Sequence, residues 1–553
     1  MTNPVEVKAR WKNYFDNLYN DPNPVDEDML EELPEGKNDE PIPPVGEDEV
    51  IAAITRMKRK KAPGVDNITI EEMDAATQGN GLTALHRLCN SIWENEELPS
   101  QWKQAVIVPL HKKKDKMVCS NYRGISLLCH SSKIFSSIVL RRIKDRTEMI
   151  LSEAQAGFRR NRSTIDQIFT LRQLAEKYEE FGKDLFVCYV DFRKAFDSIW
   201  RRGLWKVMRH FGYPEKIIRI LEHAYKDTFS AVRVDGEITD WFATIVGVMQ
   251  GCVLSPLLFN IFLEMVMALA LESSEYGAII NGVVIGNLRF ADDIAVLAEK
   301  ESDLQDSVSR IAEVSLKMGM KINAEKTEIQ HLGKGDRNFH IHVDGQPLSQ
   351  TGNFVYLGGT ISSKDGPEYD VSRRIGLARG IFQNLSPVWT SKEISKPTKL
   401  RVYETLVLTV LLYNSETWTL REAQKHRLRV MEMAFLRKIE GVTRRDRIRN
   451  EEIYSRLSYQ MNVVQRIEQR RLRYFGHVSR MDYHRYPRIA MDGYVHGQRS
   501  RGRPKKRWLD EIRQDCEERG LSLHDAMNMT QDRKRWKTFI EELPMRATAS
   551  PRQ

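Results

Sequence analysis

Cysteine is scarce and scattered. The six sit at positions 89, 119, 129, 188, 252 and 516, and none forms a Cys-x-x-Cys pair or a Cys/His knuckle. This spacing points to neither a disulfide framework nor a zinc site, and it fits a reducing, intracellular compartment. No apolar run approaches the length needed to span a bilayer, so no membrane partner is expected. The opening Met1-Thr2-Asn3-Pro4 lacks the shape of a signal peptide. Internal repeats and low-complexity tracts are also missing, which removes repeat architectures and biased disordered segments from consideration.

What remains is a chain of 553 residues, 41% apolar and 29% charged. That composition is globular, and the length implies several domains. The net charge of +9 is unevenly spread. Residues 1–50 hold 4 basic and 14 acidic side chains, whereas residues 441–553 hold 26 basic and 15 acidic. A basic C-terminal region suits a polyanionic partner, although a solvated basic surface has the same composition.

Trp11, Tyr14, Phe15 and Leu18 recur at helical spacing, and the Pro-, Asp- and Glu-rich stretch from Asp21 to Pro44 reads as a linker. Helices are expected over Glu47 to Arg59 and over residues 82–96. Gln104 to Leu110 reads as a strand, followed by the basic turn His111 to Lys114. Asn121 to Ser126 then leads into a long helix through Arg142. Asp184 to Asp191 is a strongly β-prone run, with a helix from about Lys194. Further helices are expected over Leu254 to Leu271 and Asp303 to Met318, and Leu288 to Leu297 alternates as a hairpin bent at Asp292-Asp293. Short strands surround Ile341, Phe354 and Ile361, and the pattern is helical from about 367 onward.

Two acidic clusters carry the chemistry: Val190-Asp191-Phe192 and Phe290-Ala291-Asp292-Asp293. Each lies where a short apolar run ends. Carboxylates in such places are costly to desolvate unless they are paired or bind cations. Three of them from two strands suit a pair of divalent ions, the apparatus of in-line phosphoryl chemistry.

The surrounding segments narrow this further. Asp191-Phe192-Arg193-Lys194-Ala195-Phe196-Asp197 resembles reverse-transcriptase motif A, Gly247 to Pro256 resembles motif B, and Phe290-Ala291-Asp292-Asp293 resembles motif C in its non-LTR retrotransposon form. Gly319 to Thr327 is similar to motif D, and Phe354 to Gly359 to the segment after it. Asn121 to Leu127 and Glu153 to Arg159 resemble finger segments. The similarity spans about residues 50 to 440. It implies an α+β right-hand polymerase fold: an acidic N-terminal helix and linker (1–50), fingers (51–183), a palm with an antiparallel sheet (184–366), a helical thumb (367–440) and a mostly helical, basic, nucleic-acid-binding C-terminal region (441–553).

The resemblance implies an RNA-directed DNA polymerase that extends a DNA primer on an RNA template with deoxynucleoside triphosphates. Two Mg²⁺ ions, with Mn²⁺ as a substitute, would sit on Asp191, Asp292 and Asp293. Carbonyls of Val190 or Phe192 are candidates for one further oxygen ligand. Phe196 would lie beneath the incoming sugar and leave no room for a 2′-hydroxyl. Gln250 and Gly251 would let the backbone approach nucleotide and template. Arg123 and Lys112 are candidates for the triphosphate, and Lys326 for the general acid at pyrophosphate. Arg159, Arg160 and Arg162 match a template-contacting segment.

Farther on, Arg470 to His477 interleaves cations with aromatics, as nucleic-acid contact and stacking require. Arg501-Gly502-Arg503-Pro504-Lys505-Lys506-Arg507 suits a narrow minor groove and also looks like a nuclear-localisation cluster, so a nuclear or cytoplasmic site is expected. No endonuclease pattern accompanies the polymerase. The chain reads as the polymerase portion of a longer polyprotein, using a separate endonuclease, or as a truncated or host-retained copy. The alternative to an active enzyme is a retained, non-catalytic RNA- or DNA-binding protein. A metal-dependent nuclease accounts for the carboxylates but not for the Gln-Gly and finger segments, and an intron-type maturase shares the same palm.

Overall fold

Residues Leu185 to Val190 are apolar and buried without a break, and the period of two divides them between two cores. Phe186, Cys188 and Val190 face one, and Leu185, Val187 and Tyr189 the other. A strand buried on both faces belongs at the centre of a covered sheet. The computed structural model places Asp184–Val190 in the middle of a five-stranded sheet, between Glu328–Gly333 and Asp293–Ala298, with Asn287–Phe290 and Ser349–Gln350 at the edges. It describes all residues except 1, 2, 21–23, 32, 35, 37, 113, 114, 272–274, 334, 336, 365, 500–504 and 542–553.

One face of this palm sheet is covered by Ser255–Leu271, apolar on nearly every side and hence buried, and by the amphipathic helix Glu301–Lys317. Thr164–Glu180 covers the other face. Ser163 and Asp166 begin that helix with reciprocal caps: Ser163 Oγ accepts from the Asp166 N–H at 3.2 Å, and Asp166 Oδ2 accepts from the Ser163 N–H at 3.0 Å.

A second sheet forms the fingers. Gln104–His111 pairs antiparallel with Tyr122–Leu127 and parallel with Phe229–Val234. The segment after Asn121 is a strand, and the long helix it leads into runs from His130 to Ile150. One expectation changes here: the helix expected from Lys194 is a short turn over Ala195–Asp197, followed by a helix over Arg201–His210, because pairing across the fold overrides local propensity there.

The expected boundaries also shift. Thr164–Glu180, expected among the fingers, packs under the palm, whereas Phe229–Val234, from within the expected palm, completes the finger sheet. The N-terminal helix Pro4–Asn20 packs Phe15, Leu18 and Tyr19 on that sheet against Ile107, Val232 and Phe242. The described residues of the linker are docked. The Asp26 N–H donates to the Lys317 carbonyl at 2.8 Å, Asn38 accepts from the Glu215 N–H at 3.0 Å, and Arg142 donates to the Pro43 and Pro44 carbonyls.

The thumb core begins at Val371 and runs past 440 through Ile453, Tyr459 and Ile467. It is tied to the palm by Asp370, fully buried, which accepts from Arg172 at 2.9 Å, Trp418 Nε1 at 2.8 Å and the Thr360 N–H at 3.1 Å. Burial opposes ionisation of this carboxyl, but Arg172 and these donors outweigh it and lower its pKa.

Beyond Ile467 the chain forms a further core. Leu472, Phe475, Trp508 and Trp536 pack around Phe169 of the palm helix. The expected stacking surface at 470–477 is therefore mostly interior. Tyr474 and Phe475 are buried, the Tyr474 hydroxyl donates to Asp166 at 3.0 Å, and Arg471 is enclosed with Asp515 and Glu511. Successive turns of Val463–Ser479 bring these side chains onto the face that meets Phe169 and Trp508, so aromatic–cation interleaving here encodes a core. No helix among the described residues is long and apolar enough to cross a membrane.

Candidate active site

The palm register brings the acidic clusters together. Ile294 pairs with Val190, so the next step sets Asp191 beside Asp293, while Ala291-Asp292 forms the tip between Phe290 and Asp293. The Asp191 backbone is clasped from the other side. Its N–H donates to Thr327 Oγ1 at 3.2 Å, and its carbonyl accepts from the Asn323 N–H at 2.7 Å. Asn323 Nδ2 reaches Asp191 Oδ2 at 3.3 Å. The motif D-like segment thus anchors the first aspartate. Asn323 and Thr327 were not singled out from the sequence, although they lie inside that segment.

Burial raises the pKa of Asp292, and Asp191 adds to the rise. Asp293, at the solvent edge, is pushed up to about 6 by desolvation within the surrounding protein, then by Asp292 and Asp191. Carboxylates that oppose one another's ionisation form a donor set short of positive charge. Among the described residues no three His, Cys, Asp or Glu side chains converge as a ready-made metal cluster. An arrangement that leaves positions for water and substrate phosphates is the usual one for Mg²⁺.

Cations face this acidic end. Lys326 Nζ lies 3.6 Å from Asp191 Oδ2. Burial lowers the Lys112 pKa, and Arg123 and Lys326 lower it further, so the three cations lie within electrostatic reach of one another. Arg123 projects from the strand Tyr122–Leu127, is exposed, and helps to stabilise the charge on Asp292. Lys112 follows the partner strand. Elements distant in sequence thus assemble one mixed-charge site.

Phe196 is half-buried and stacks on Phe259, with ring centroids 4.4 Å apart. Gln250 Nε2 donates to Asp197 Oδ1 at 2.9 Å, and the Gln250 carbonyl accepts from the Ser126 N–H at 2.8 Å. Asp197 is buried, and its pKa rises to about 6 because desolvation outweighs Gln250 and the nearby lysines. Nothing in the local pattern around Asp197 announces its role. Asp197 ties the motif A turn to the motif B turn.

Gly251 has a φ of +136°, and a Cβ there would lie 2.4 Å from the Ser126 carbonyl. The close approach that requires glycine is therefore to the finger strand. Gly251→Ala should cost about 1–3 kcal/mol from backbone conformation alone, with the clash in addition. The check is the thermal unfolding midpoint, and an unchanged midpoint would mean that this finger–palm contact is slack.

The three arginines of the finger segment divide. Arg159 is spent on the protein, with Glu148 Oε1 at 3.0 Å and the Ser152 and Gln155 carbonyls at 2.6 and 3.0 Å. Arg162 pairs with Glu153 and is nearly buried. Arg160 is exposed. Arg501 and Arg503 lie outside the described residues. Of their neighbours, Arg499 pairs with Glu180, Lys505 with Glu179, and Lys506 with Glu511 at 2.8 Å.

Comparison with known proteins agrees with this geometry. The family described as "Reverse transcriptase (RNA-dependent DNA polymerase)" matches residues 110–361, and a domain of unknown function matches residues 381–413. The chain is 27% identical over 417 residues to the "Probable RNA-directed DNA polymerase from transposon BS" of Drosophila melanogaster, covering 72% of this chain and 45% of that protein. It is 26% identical over 422 residues to the "RNA-directed DNA polymerase from mobile element jockey" of the same fly, covering 72% and 44%. It is also 26% identical over 285 residues to the "Retrovirus-related Pol polyprotein from type-1 retrotransposable element R2" of Popillia japonica, covering 51% and 39%. The chain spans less than half the length of these relatives. A solved structure of apo telomerase from Candida tropicalis, truncated from its C-terminal domain, is a distant likeness: 15% identity and a TM-score of 0.36 over 50% of this chain and 59% of that one. The right-hand polymerase architecture and the motif order agree with the match of residues 110–361 to the reverse transcriptase family, and the chain resembles the polymerases of non-LTR retrotransposons.

Proposed function

We propose that the chain is an RNA-directed DNA polymerase that extends a DNA primer on an RNA template. The observation that carries this reading is the meeting of Asp191 with Asp292 and Asp293 at one end of the palm sheet, opposite Lys112, Arg123 and Lys326.

Asp191 and Asp292, with Asp293 beside them, are the residues to hold divalent ions. The repulsion that raises the Asp292 and Asp293 pKa values fits a site completed by cations. In the bridge between Phe192 and Ile322 the Arg193 N–H donates to the Lys321 carbonyl and the Asn323 N–H to the Asp191 carbonyl, which leaves the Phe192 carbonyl outside these bonds as a candidate further ligand. Two Mg²⁺ ions bound there, or Mn²⁺ in their place, supply an acidified primer hydroxyl and charge neutralisation on the phosphates. Arg123 clamps the triphosphate with its planar fork, and Lys112 adds a point charge. Lys326, now paired with Asp191, exchanges that partner for the leaving pyrophosphate and gives it a proton from Nζ. Asn323 and Thr327 keep Asp191 aimed while this happens. Arg160 meets the template backbone. The setting is intracellular, nuclear or cytoplasmic.

Phe196 closes the space beneath the sugar. Phe196→Ala should raise incorporation of ribonucleotides relative to deoxynucleotides by about 10²-fold, the scale on which a pocket tells a hydroxyl from its absence. Competing rUTP against dTTP on one primer–template measures it, and an unchanged ratio would remove Phe196 from the sugar site.

The deciding experiment for the activity is extension of oligo(dT) on poly(rA) with dTTP and Mg²⁺. Incorporation supports the polymerase reading. No incorporation alongside tight RNA binding would instead make this a non-catalytic nucleic-acid-binding protein.

A further inference from the structure

The catalytic tip is held in an unfavourable conformation. Ala291, immediately before Asp292, has a φ of +57°. Left-handed backbone at a residue other than glycine persists only where its surroundings enforce it. The surroundings here are the segment after Leu151. Its backbone runs beside the edge strand of the palm, with the Ala156 N–H donating to the Arg289 carbonyl and the Arg289 N–H to the Ala154 carbonyl, both at 2.8 Å.

Gln155, fully buried, reaches from this segment to the tip. Its Oε1 accepts from the Ala291 N–H at 2.9 Å and from the Gly157 N–H at 2.8 Å. Two backbone donors fix which end of the amide is oxygen. Its Nε2 then points to the Ala291 carbonyl at 3.5 Å. One side chain thus engages both backbone groups of the strained residue. Gly157 completes the fit, because a Cβ there would fall 2.3 Å from the Ala291 nitrogen. The Gly157 carbonyl in turn accepts from Asn260 Nδ2 at 2.7 Å, and Asn260 is fully buried in the helix after motif B. A continuous buried chain therefore runs from Asn260 through Gly157 and Gln155 to Ala291.

We propose that Gln155 is a positioning residue that clamps Ala291 in its left-handed conformation and so aims Asp292. The proposal rests on the reading of Asp292 as catalytic. Gln155 touches no substrate in this role. It acts through the backbone, and the Asn260 link ties the tip to the helix that carries motif B. Without the clamp the tip relaxes toward ordinary backbone, and the Asp292 carboxylate moves off its aim.

Gln155→Met keeps the size of the side chain and removes all three contacts. The expected result is a kcat about 10- to 100-fold lower, the cost of a misaimed group. KM for dTTP and affinity for primer–template stay within about twofold, since neither uses Gln155. In the free protein, backbone hydrogen exchange at Ala291 should rise about tenfold or more while Asp184–Val190 stays protected. Gln155→Glu retains both acceptor contacts and should keep the Ala291 amide protected. Native exchange or native kcat in Gln155→Met would overturn the proposal, as would an unprotected tip in Gln155→Glu should the methionine variant fail to fold. An inactive natural protein would overturn the polymerase reading instead, and the exchange measurement would still decide whether Gln155 holds the tip.

Discussion

Primer extension should fall by at least about 10³-fold, or about 4 kcal/mol of barrier, when Asp292 is replaced by alanine. The size follows from its place. Asp292 occupies the tip of the hairpin, beside the end of the central strand that carries Asp191, where charge on the reacting phosphate must be balanced. The same substitution should leave the fold intact or firmer. Burial and Asp191 both raise the Asp292 pKa, so its ionised form is a burden to the folded state at neutral pH. Function and stability should therefore separate: the thermal midpoint of Asp292→Ala stays at or above that of the natural protein while extension is lost. Retention of a tenth of the natural rate would remove Asp292 from the centre of the chemistry. A collapsed midpoint would show that the tip carries structural weight instead.

Arg471→Met should cost about 3–5 kcal/mol of stability, the scale for breaking a buried ion pair from one side. Arg471 is wholly enclosed, with Asp515 at 2.7 Å and Glu511 at 2.9 Å. It joins Val463–Ser479 to Trp508–Glu517, so both helices are held by one guanidinium. Methionine fills much of the space but leaves the carboxylates unmatched. The pH dependence adds a sign. Asp515 is pushed up to about 6, first by burial and also by Glu468 and Glu511. A folded-state pKa above the unfolded value means that its contribution to stability is fully present below about 4 and is lost as pH rises through about 6. The penalty of Arg471→Met should accordingly be larger at pH 8 than at pH 5, where Asp515 takes up a proton. Urea unfolding at the two values measures this. A loss below 1 kcal/mol at pH 8 would mean that solvent reaches the cluster, and an equal loss at both values would mean that Asp515 does not titrate there.

The legible parts of the site were those in which local pattern and tertiary role coincide. Leu185 to Val190 is apolar throughout because it is central, and the acidic end that follows at Asp191 is conspicuous for the same reason. The alternation around Asp292-Asp293 foretold the hairpin, whose turn falls one residue earlier, at Ala291-Asp292. Arg159 and Arg162 carried an ambiguous signal: a cation in a finger segment reads as a template contact, and only the positions of Glu148, Ser152 and Glu153 reveal it as spent within the protein. Arg471 and Tyr474 belong to the same class, since a cation–aromatic run on one helix suits a nucleic-acid surface and a buried ionic core equally well.

By itself the sequence determined the palm: which strands carry the carboxylates, in what order the motifs fall, and hence the class of chemistry. These are local matters, set by side-chain period and by short segments whose residues act together. The tertiary structure alone decided which elements share a sheet and which cations stay available. Phe229–Val234 crosses to the fingers, Thr164–Glu180 to the palm, and the C-terminal helices to Phe169, because buried area and hydrogen bonds between distant segments outweigh adjacency in the chain. The pull of Gln155 on Ala291 is of that kind: two backbone groups 136 positions away gain a partner only when the chain has folded.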